Sequence, residues 1–200
     1  MERVVFDERQ IAQRVRALAE ELDRAYRGSR DLVLVGVLRG ALYFLSDLSR
    51  AMRTAHRLDF MEFASYHGTD RETGRLVKGC TDALVDADVV LIDEVFDSGE
   101  TIKELRACIL DQKPRSLRTC VLLWKHGLSS YEPPEFVGFR VGPDFLVGYG
   151  LDHNQQLRHL PYVAVLESAP AAETRSDGGD TEAERDQTVV PGAPEAAEGR

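Results

Sequence analysis

The chain has 200 residues, of which 43% are hydrophobic and 30% charged, and its net charge is −9. That is a single domain's length with enough apolar residues for a core. No apolar run approaches the roughly 18 residues a membrane span needs, and the acidic balance argues against a nucleic-acid binder.

The charge is unevenly placed. Residues 169–200 hold eight acids against three bases, so −5 of the −9 lies there. That segment is rich in Ala, Gly, Pro and Glu and poor in large apolar residues, which predicts a disordered acidic tail. The opening MERVVFDERQ is too acidic for a signal peptide, so the expected location is cytoplasmic. Cys80, Cys108 and Cys120 have no metal-like spacing and read as reduced thiols, the last two as core packing.

In chain order, residues 7–26 read as an amphipathic helix: Ile11, Val15, Leu18 and Leu22 recur at helical spacing, with Asp7 placed to cap it. Residues 32–35 read as a buried strand, 36–40 as a turn and 41–52 as a second helix. A strand is expected at 58–64, and the polar stretch 65–75 as a long exposed loop. A strand at 89–92 leads to a helix at 101–110, with Pro114 beyond it. Residues 119–124 read as a strand, 136–141 and 145–149 as short β pieces, and 162–166 as the last one. Strands that alternate with helices and are apolar throughout predict an α/β fold, a mainly parallel sheet covered on both faces. Ligands of such sheets bind beyond the carboxyl ends of the strands.

The stretch VVLIDEVFDSGETI, residues 89–102, sets three carboxylates where that crevice is expected. Adjacent strand residues point to opposite faces, so Asp93 and Glu94 need not do the same job. The following Asp97, Ser98, Gly99, Glu100 and Thr101 lead into a helix, whose unpaired N–H groups and dipole favour a phosphate. Acids beside a phosphate cradle make sense if they bind sugar hydroxyls or act through Mg²⁺. Together the residues predict a sugar phosphate as ligand. The competing structural reading is a capping box formed by Asp97 and Glu100. A phosphorelay receiver also gathers acids on a parallel sheet, but from separate strands.

The same stretch resembles the phosphoribosyl-pyrophosphate motif of type I phosphoribosyltransferases. Three further segments, in matching order, resemble the hypoxanthine-guanine (6-oxopurine) members: VGVLRGALYFLSDL their pyrophosphate loop, ASYHG the start of their mobile loop, and FLVGYGLDHNQQLRHLPYV their purine-binding segment. The resemblance covers roughly residues 30–166. It implies a small hood over the sheet, from residues 1–6 and 136–168, and a mobile loop at 65–81, all within a domain of residues 1–168. It implies transfer of ribose 5-phosphate from phosphoribosyl pyrophosphate to a purine, with Mg²⁺ as cofactor and a homo-dimer or tetramer as the assembly.

By the same resemblance, Asp93 and Glu94 would bind the ribose hydroxyls, directly or through Mg²⁺. Residues 97–101 would hold the 5′-phosphate, and Asp97 would face N7 of the purine as the proton-transfer group. Lys125 would donate to the 6-oxo group; adenine offers an amino donor there, so two donors would meet. Phe145 would stack on the base and the Leu146 backbone would bond its edge. Asp152 would hold a Mg²⁺ shared with pyrophosphate, which Arg158, Arg39, Gly40, Ser65 and Tyr66 would also contact. Without the resemblance, Phe145 reads as core and Arg158 as a surface charge.

The peptide preceding Arg39 is typically cis in this family. Departures are the order Asp93-Glu94, where relatives usually have Glu-Asp, His153 in place of a frequent Tyr, and the extra acid Glu100. Two alternatives stay open: a non-catalytic sensor of phosphoribosyl pyrophosphate or nucleotide, and a transferase for xanthine.

Overall fold

A computed structural model describes residues 2–66, 73–125 and 131–166. The elements in chain order are β1 (Glu2–Phe6), α1 (Glu8–Ala25), β2 (Leu32–Leu38), α2 (Leu42–Ala51), β3 (Arg57–Tyr66), β4 (Thr73–Lys78), β5 (Asp88–Phe96), α3 (Glu100–Leu110), β6 (Ser116–Lys125), β7 (Phe136–Val141), β8 (Leu146–Val147) and β9 (Val163–Leu166). Six strands form the main sheet in the order β4-β3-β2-β5-β6-β7, and β1-β9-β8 form a smaller one. All neighbours in the main sheet are parallel except β3 and β4. The smaller sheet is antiparallel.

The apolar strands are buried on both faces because period-2 alternation sends successive residues into different cores. Leu32 and Leu34 of β2, with Val90 and Ile92 of β5, join the core that includes α1 and α2. Val33, Val35 and Val37, with Val89 and Leu91, join the core on the other face, beneath α3. Helix α3 has only 11 residues, marginal for a helix on its own. Its buried Ile102, Leu105 and Ile109 contribute about 1.5–3 kcal/mol each, so packing holds it in place. On α1 the expected stripe is buried, with Ala19 added. Asp7 accepts from Gln10 N at 2.8 Å, and the Gln10 side chain accepts from Asp7 N at 2.9 Å, a reciprocal cap.

Three expectations need correction. The stretch 65–75 is not simply a loop: β3 continues to Tyr66, and β4 returns antiparallel to it from Thr73. All of β4 therefore lies inside the span expected to be a mobile loop, 65–81. Residues 67–72 lie outside the described residues. Second, residues 136–141 are not part of the hood. They form β7, the parallel edge strand of the main sheet beside β6. Arg14 of α1 ties it down, donating to Val137 O at 2.6 Å and Gly138 O at 2.8 Å. The smaller sheet is built from β1, β8 and β9 alone. Third, β5 does not stop before the acids; it runs on to Phe96, and α3 starts at Glu100. The expected tail, 169–200, lies outside the described residues.

Candidate active site

The carboxyl ends of β2 and β5 and the start of α3 surround a cavity of about 750 Å³, closed on another side by residues 145 and 152–158. At the end of β2 the Leu38–Arg39 peptide is cis. Next to it Gly40 is tightly enclosed. A Cβ there would lie 1.8 Å from Glu94 Oε1, so only glycine lets the Glu94 carboxylate rest on this loop. Gly150 plays the same part opposite: with φ +106, its Cβ would lie 1.9 Å from Gly40 O. The two loops thus meet backbone to backbone.

On β5 Asp93 is only 6% exposed and accepts from Glu94 N at 2.9 Å. Burial first, and the neighbouring Glu94 charge second, push its pKa well above the usual carboxylate range. Asp97 is not a helix cap. The N-cap of α3 is Gly99, at φ 85 and with no side-chain cap bond. The Asp97 carboxylate instead accepts from Lys125 Nζ at 2.7 Å. Lys125, the last residue of β6, is largely covered, with its side chain 14% exposed, while that of Asp97 is 47% exposed. The cation therefore approaches from the sheet and the anion faces the opening.

The first α3 bond runs from Lys103 N to Gly99 O at 2.9 Å, which leaves the amides of residues 100–102 without intrahelical acceptors. Glu100 N has Ser98 Oγ at 3.4 Å. With the helix dipole and the Ser98 and Thr101 hydroxyls, the arrangement suits a phosphate.

The segment after β8 owes its shape to left-handed residues. Tyr149, Asn154, Gln155 and Leu157 all have positive φ, as do Gly148 and Gly150. Asn154 and Gln155 make a tight turn, across which His153 and Gln156 exchange backbone bonds of 3.0 and 3.1 Å. Asp152 braces it, accepting from Gln155 N at 2.8 Å and pairing with Arg158 at 2.5 Å. Arg158 also donates to Gly150 O at 2.6 Å. Tyr149 OH donates to Asp47 of α2 at 2.7 Å. Burial, then that bond, raises the phenol's pKa, so it stays a donor. Phe145 is 52% exposed, with the His153 ring edge-on at 5.7 Å. It is not core, and Arg158 is not a free surface charge.

Of the residues singled out in the sequence, Arg39, Gly40, Asp93, Glu94, Asp97, Ser98, Gly99, Thr101, Phe145, Asp152 and Arg158 line the cavity together. Lys125 meets it through Asp97. The Leu146 side chain is buried in the core, leaving only its backbone to offer. Glu100 is exposed at the helix start. Ser65 and Tyr66 end β3, and their side chains lie outside the described residues. Sequence reasoning passed over Glu62, Phe63, Asn154 and Gln155, which also line the cavity. Glu62 is opposite Leu38 in the sheet, a neighbour relation no local pattern reveals. The Asn-Gln turn left a signal, since Asn tolerates positive φ.

The carboxylates fit a hard cation only in part. Among the described residues, no group of three or more His, Cys, Asp or Glu could hold a metal alone. Mg²⁺ commonly takes one or two carboxylates and completes its shell with water and substrate phosphates. Asp93, Glu94 and Asp152 facing one cavity suit that arrangement.

A mainly parallel sheet with acids at the carboxyl end of β5 and free amides at the start of α3 fits a phosphoribosyltransferase. The family model described as phosphoribosyl transferase domain matches residues 4–154, and the chain belongs to that family. It is 38% identical over 165 residues to the hypoxanthine phosphoribosyltransferase of Escherichia coli, covering 80% of this chain and 92% of that one. To the hypoxanthine-guanine phosphoribosyltransferase of Dictyostelium discoideum it is 37% identical over 169 residues, covering 82% and 94%. The crystal structure of a hypoxanthine phosphoribosyltransferase from Staphylococcus aureus superposes with a TM-score of 0.78 at 32% identity, covering 82% of this chain and 90% of that one. No helix among the described residues is long and apolar enough to cross a membrane.

Proposed function

We infer that this chain is a purine-salvage enzyme that transfers the 5-phosphoribosyl group of phosphoribosyl pyrophosphate to hypoxanthine, guanine or both. The products are IMP or GMP and pyrophosphate. The observation that carries this reading is the Asp97–Lys125 pair, 2.7 Å apart beside the phosphate-binding start of α3. Lys125 donates to a 6-oxo group, and Asp97 accepts a hydrogen bond from N7 and handles the purine proton. Such a pair favours a 6-oxopurine over adenine, whose amino group would face a second donor.

Each remaining group has one task. Residues 97–101 bind the 5′-phosphate with backbone amides and the Ser98 and Thr101 hydroxyls. Asp93 and Glu94 accept from the ribose 2′- and 3′-hydroxyls. Breaking the C1′–oxygen bond leaves positive charge on the ribose and negative charge on the pyrophosphate, which Arg158, Arg39 and the backbone at Gly40 stabilise. Phe145 stacks on the base, with the Leu146 backbone at its edge, and aligns the purine nitrogen with C1′. Ser65 and Tyr66 stand at the pyrophosphate side. Asp152 would hold Mg²⁺ at the pyrophosphate, and Asp93 and Glu94 would hold it at the ribose hydroxyls; the ion would supply charge neutralisation of the leaving group. We assign residues 1–168 to the catalytic domain, place the enzyme in the cytoplasm and take it to be a homo-dimer or tetramer, a state that light scattering reads directly.

The deciding experiment supplies phosphoribosyl pyrophosphate and Mg²⁺ with hypoxanthine, guanine, xanthine or adenine in turn and measures nucleotide. Product from hypoxanthine or guanine is expected. Product from xanthine or adenine alone overturns the base assignment, and none from any base overturns the enzyme.

A further inference from the structure

A second cleft, of about 460 Å³, lies at the amino ends of the main-sheet strands, between the end of α1, the turn at residues 27–30 and the first residues of β5 and β6. The length of β5 separates it from the active site by roughly 25 Å. Four arginines line it, Arg27, Arg30, Arg115 and Arg118, against one carboxylate, Asp88. We propose that this cleft is a binding site for a small polyphosphate anion, separate from the active site.

The argument rests on which charges are already neutralised. Asp88 is fully engaged. It accepts from Arg115 Nε at 2.9 Å, Ser29 Oγ at 2.5 Å and Ser116 Oγ at 2.7 Å, and it cancels the charge of Arg115. The guanidinium groups of Arg27, Arg30 and Arg118 have no carboxylate or hydrogen-bond partner among the described residues; that of Arg118 lies 5.6 Å from the Tyr26 ring centre. The cleft therefore holds three guanidinium groups with no direct ion pair among the described residues, in a chain whose net charge is −9. Carbonyls at the end of α1 supply about half a negative charge, too little to balance them.

Tyr26 lines the same cleft. Its hydroxyl is buried with no hydrogen-bond partner, the one such side-chain atom among the described residues. Buried polar groups are otherwise almost always satisfied. Guanidinium groups bind phosphate through paired N–H donors, and the volume lies in the small-ligand range. Three guanidinium groups in one compact cleft suit a small anion rather than an extended nucleic acid, which needs many phosphate contacts at once.

Titrating the isotope-labelled full chain with inorganic tripolyphosphate at constant ionic strength, and following backbone amide NMR shifts, tests the proposal. Saturable shifts are expected at residues 27–30 and 115–118, apart from any at the active site. Arg30→Gln should weaken this binding about tenfold, the loss of one charge-assisted hydrogen bond. The triple variant Arg27→Gln, Arg30→Gln, Arg118→Gln should abolish it and still form nucleotide at the unchanged rate. If the triple variant does not fold, the single one decides. Shifts confined to the active site, shifts matched by sodium chloride alone, unchanged affinity in Arg30→Gln, or a response to an RNA oligomer but not to tripolyphosphate would each overturn the proposal.

Discussion

Gly150→Ala should disable the active site without replacing a residue proposed to do chemistry. The new Cβ would lie 1.9 Å from Gly40 O, while real Cβ contacts stay beyond 3.0 Å, so the loops must part by at least 1.1 Å. The obstacle is the Gly40 backbone rather than a flexible side chain, and Arg158 holds Gly150 O at 2.6 Å. A displacement of about 1 Å in a positioning element costs on the order of 100-fold in rate. The φ of +106 adds left-handed strain of about 1–2 kcal/mol, which lowers the melting temperature by about 2–8 °C. Steady-state kinetics with varied phosphoribosyl pyrophosphate should show kcat/KM down about 100-fold, beside a folded variant in a thermal melt. Gly142→Ala is the control, since nothing lies within 4 Å of a Cβ there, and it should behave as the parent. Wild-type kinetics in Gly150→Ala would show that the two loops need not touch, and the positioning argument would fall.

Asp97→Asn should lower turnover by about 10²- to 10⁴-fold, the usual range for losing a proton-transfer group, with the melting curve in place; undiminished turnover removes Asp97 from that role. Lys125→Met should erode the preference for hypoxanthine over adenine; a retained ratio of the two kcat/KM values would place base selection elsewhere. Arg115, then Ser29 and Ser116, hold the Asp88 carboxyl well below its ordinary value of 3.8. That stabilisation is present above pH 4 and lost as pH falls through the folded-state value. Arg115→Gln should therefore melt lower than the parent at pH 7, with the gap closing toward pH 2; a gap that ignores pH excludes the ion pair as its cause. Asp93 has the opposite sign: its raised value means that ionisation costs stability as pH rises above 3.8. Asp93→Asn should raise the melting temperature at pH 7 but not at pH 3, and weaken binding of phosphoribosyl pyrophosphate. An equal melting temperature at pH 7 would show that the buried carboxylate is not strained there.

The parts readable from sequence were those governed by neighbours along the chain. The α1 stripe and its Asp7 cap depend on residues three and four apart, and both stand as read. The phosphate-binding turn is equally local. Strand ends were less legible. The acids at 93 and 94 looked like the end of β5, but pairing with β6 carries the strand to Phe96. The polar composition of 65–75 suggested only a loop, because antiparallel pairing with β3 supplies the bonds that make Thr73–Lys78 a strand. β7 was assigned to the hood because nothing within it states that its partner is β6.

The division shows most clearly at Asp97. Local pattern allowed two readings of it, helix cap or site residue, since both need a carboxylate just before a helix. The sheet decided, by bringing Lys125 from the end of β6 to within 2.7 Å and leaving the cap position to Gly99. The sequence by itself determined the fold class, the turn that opens α3 and the supply of carboxylates, because these follow from periodicity and turn chemistry. Only the tertiary structure decided that Glu94 rests on Gly40, that Gly150 meets Gly40 backbone to backbone and that Asp47 receives Tyr149. Those contacts join residues scores of positions apart, and distance across a packed core is not written in any local pattern.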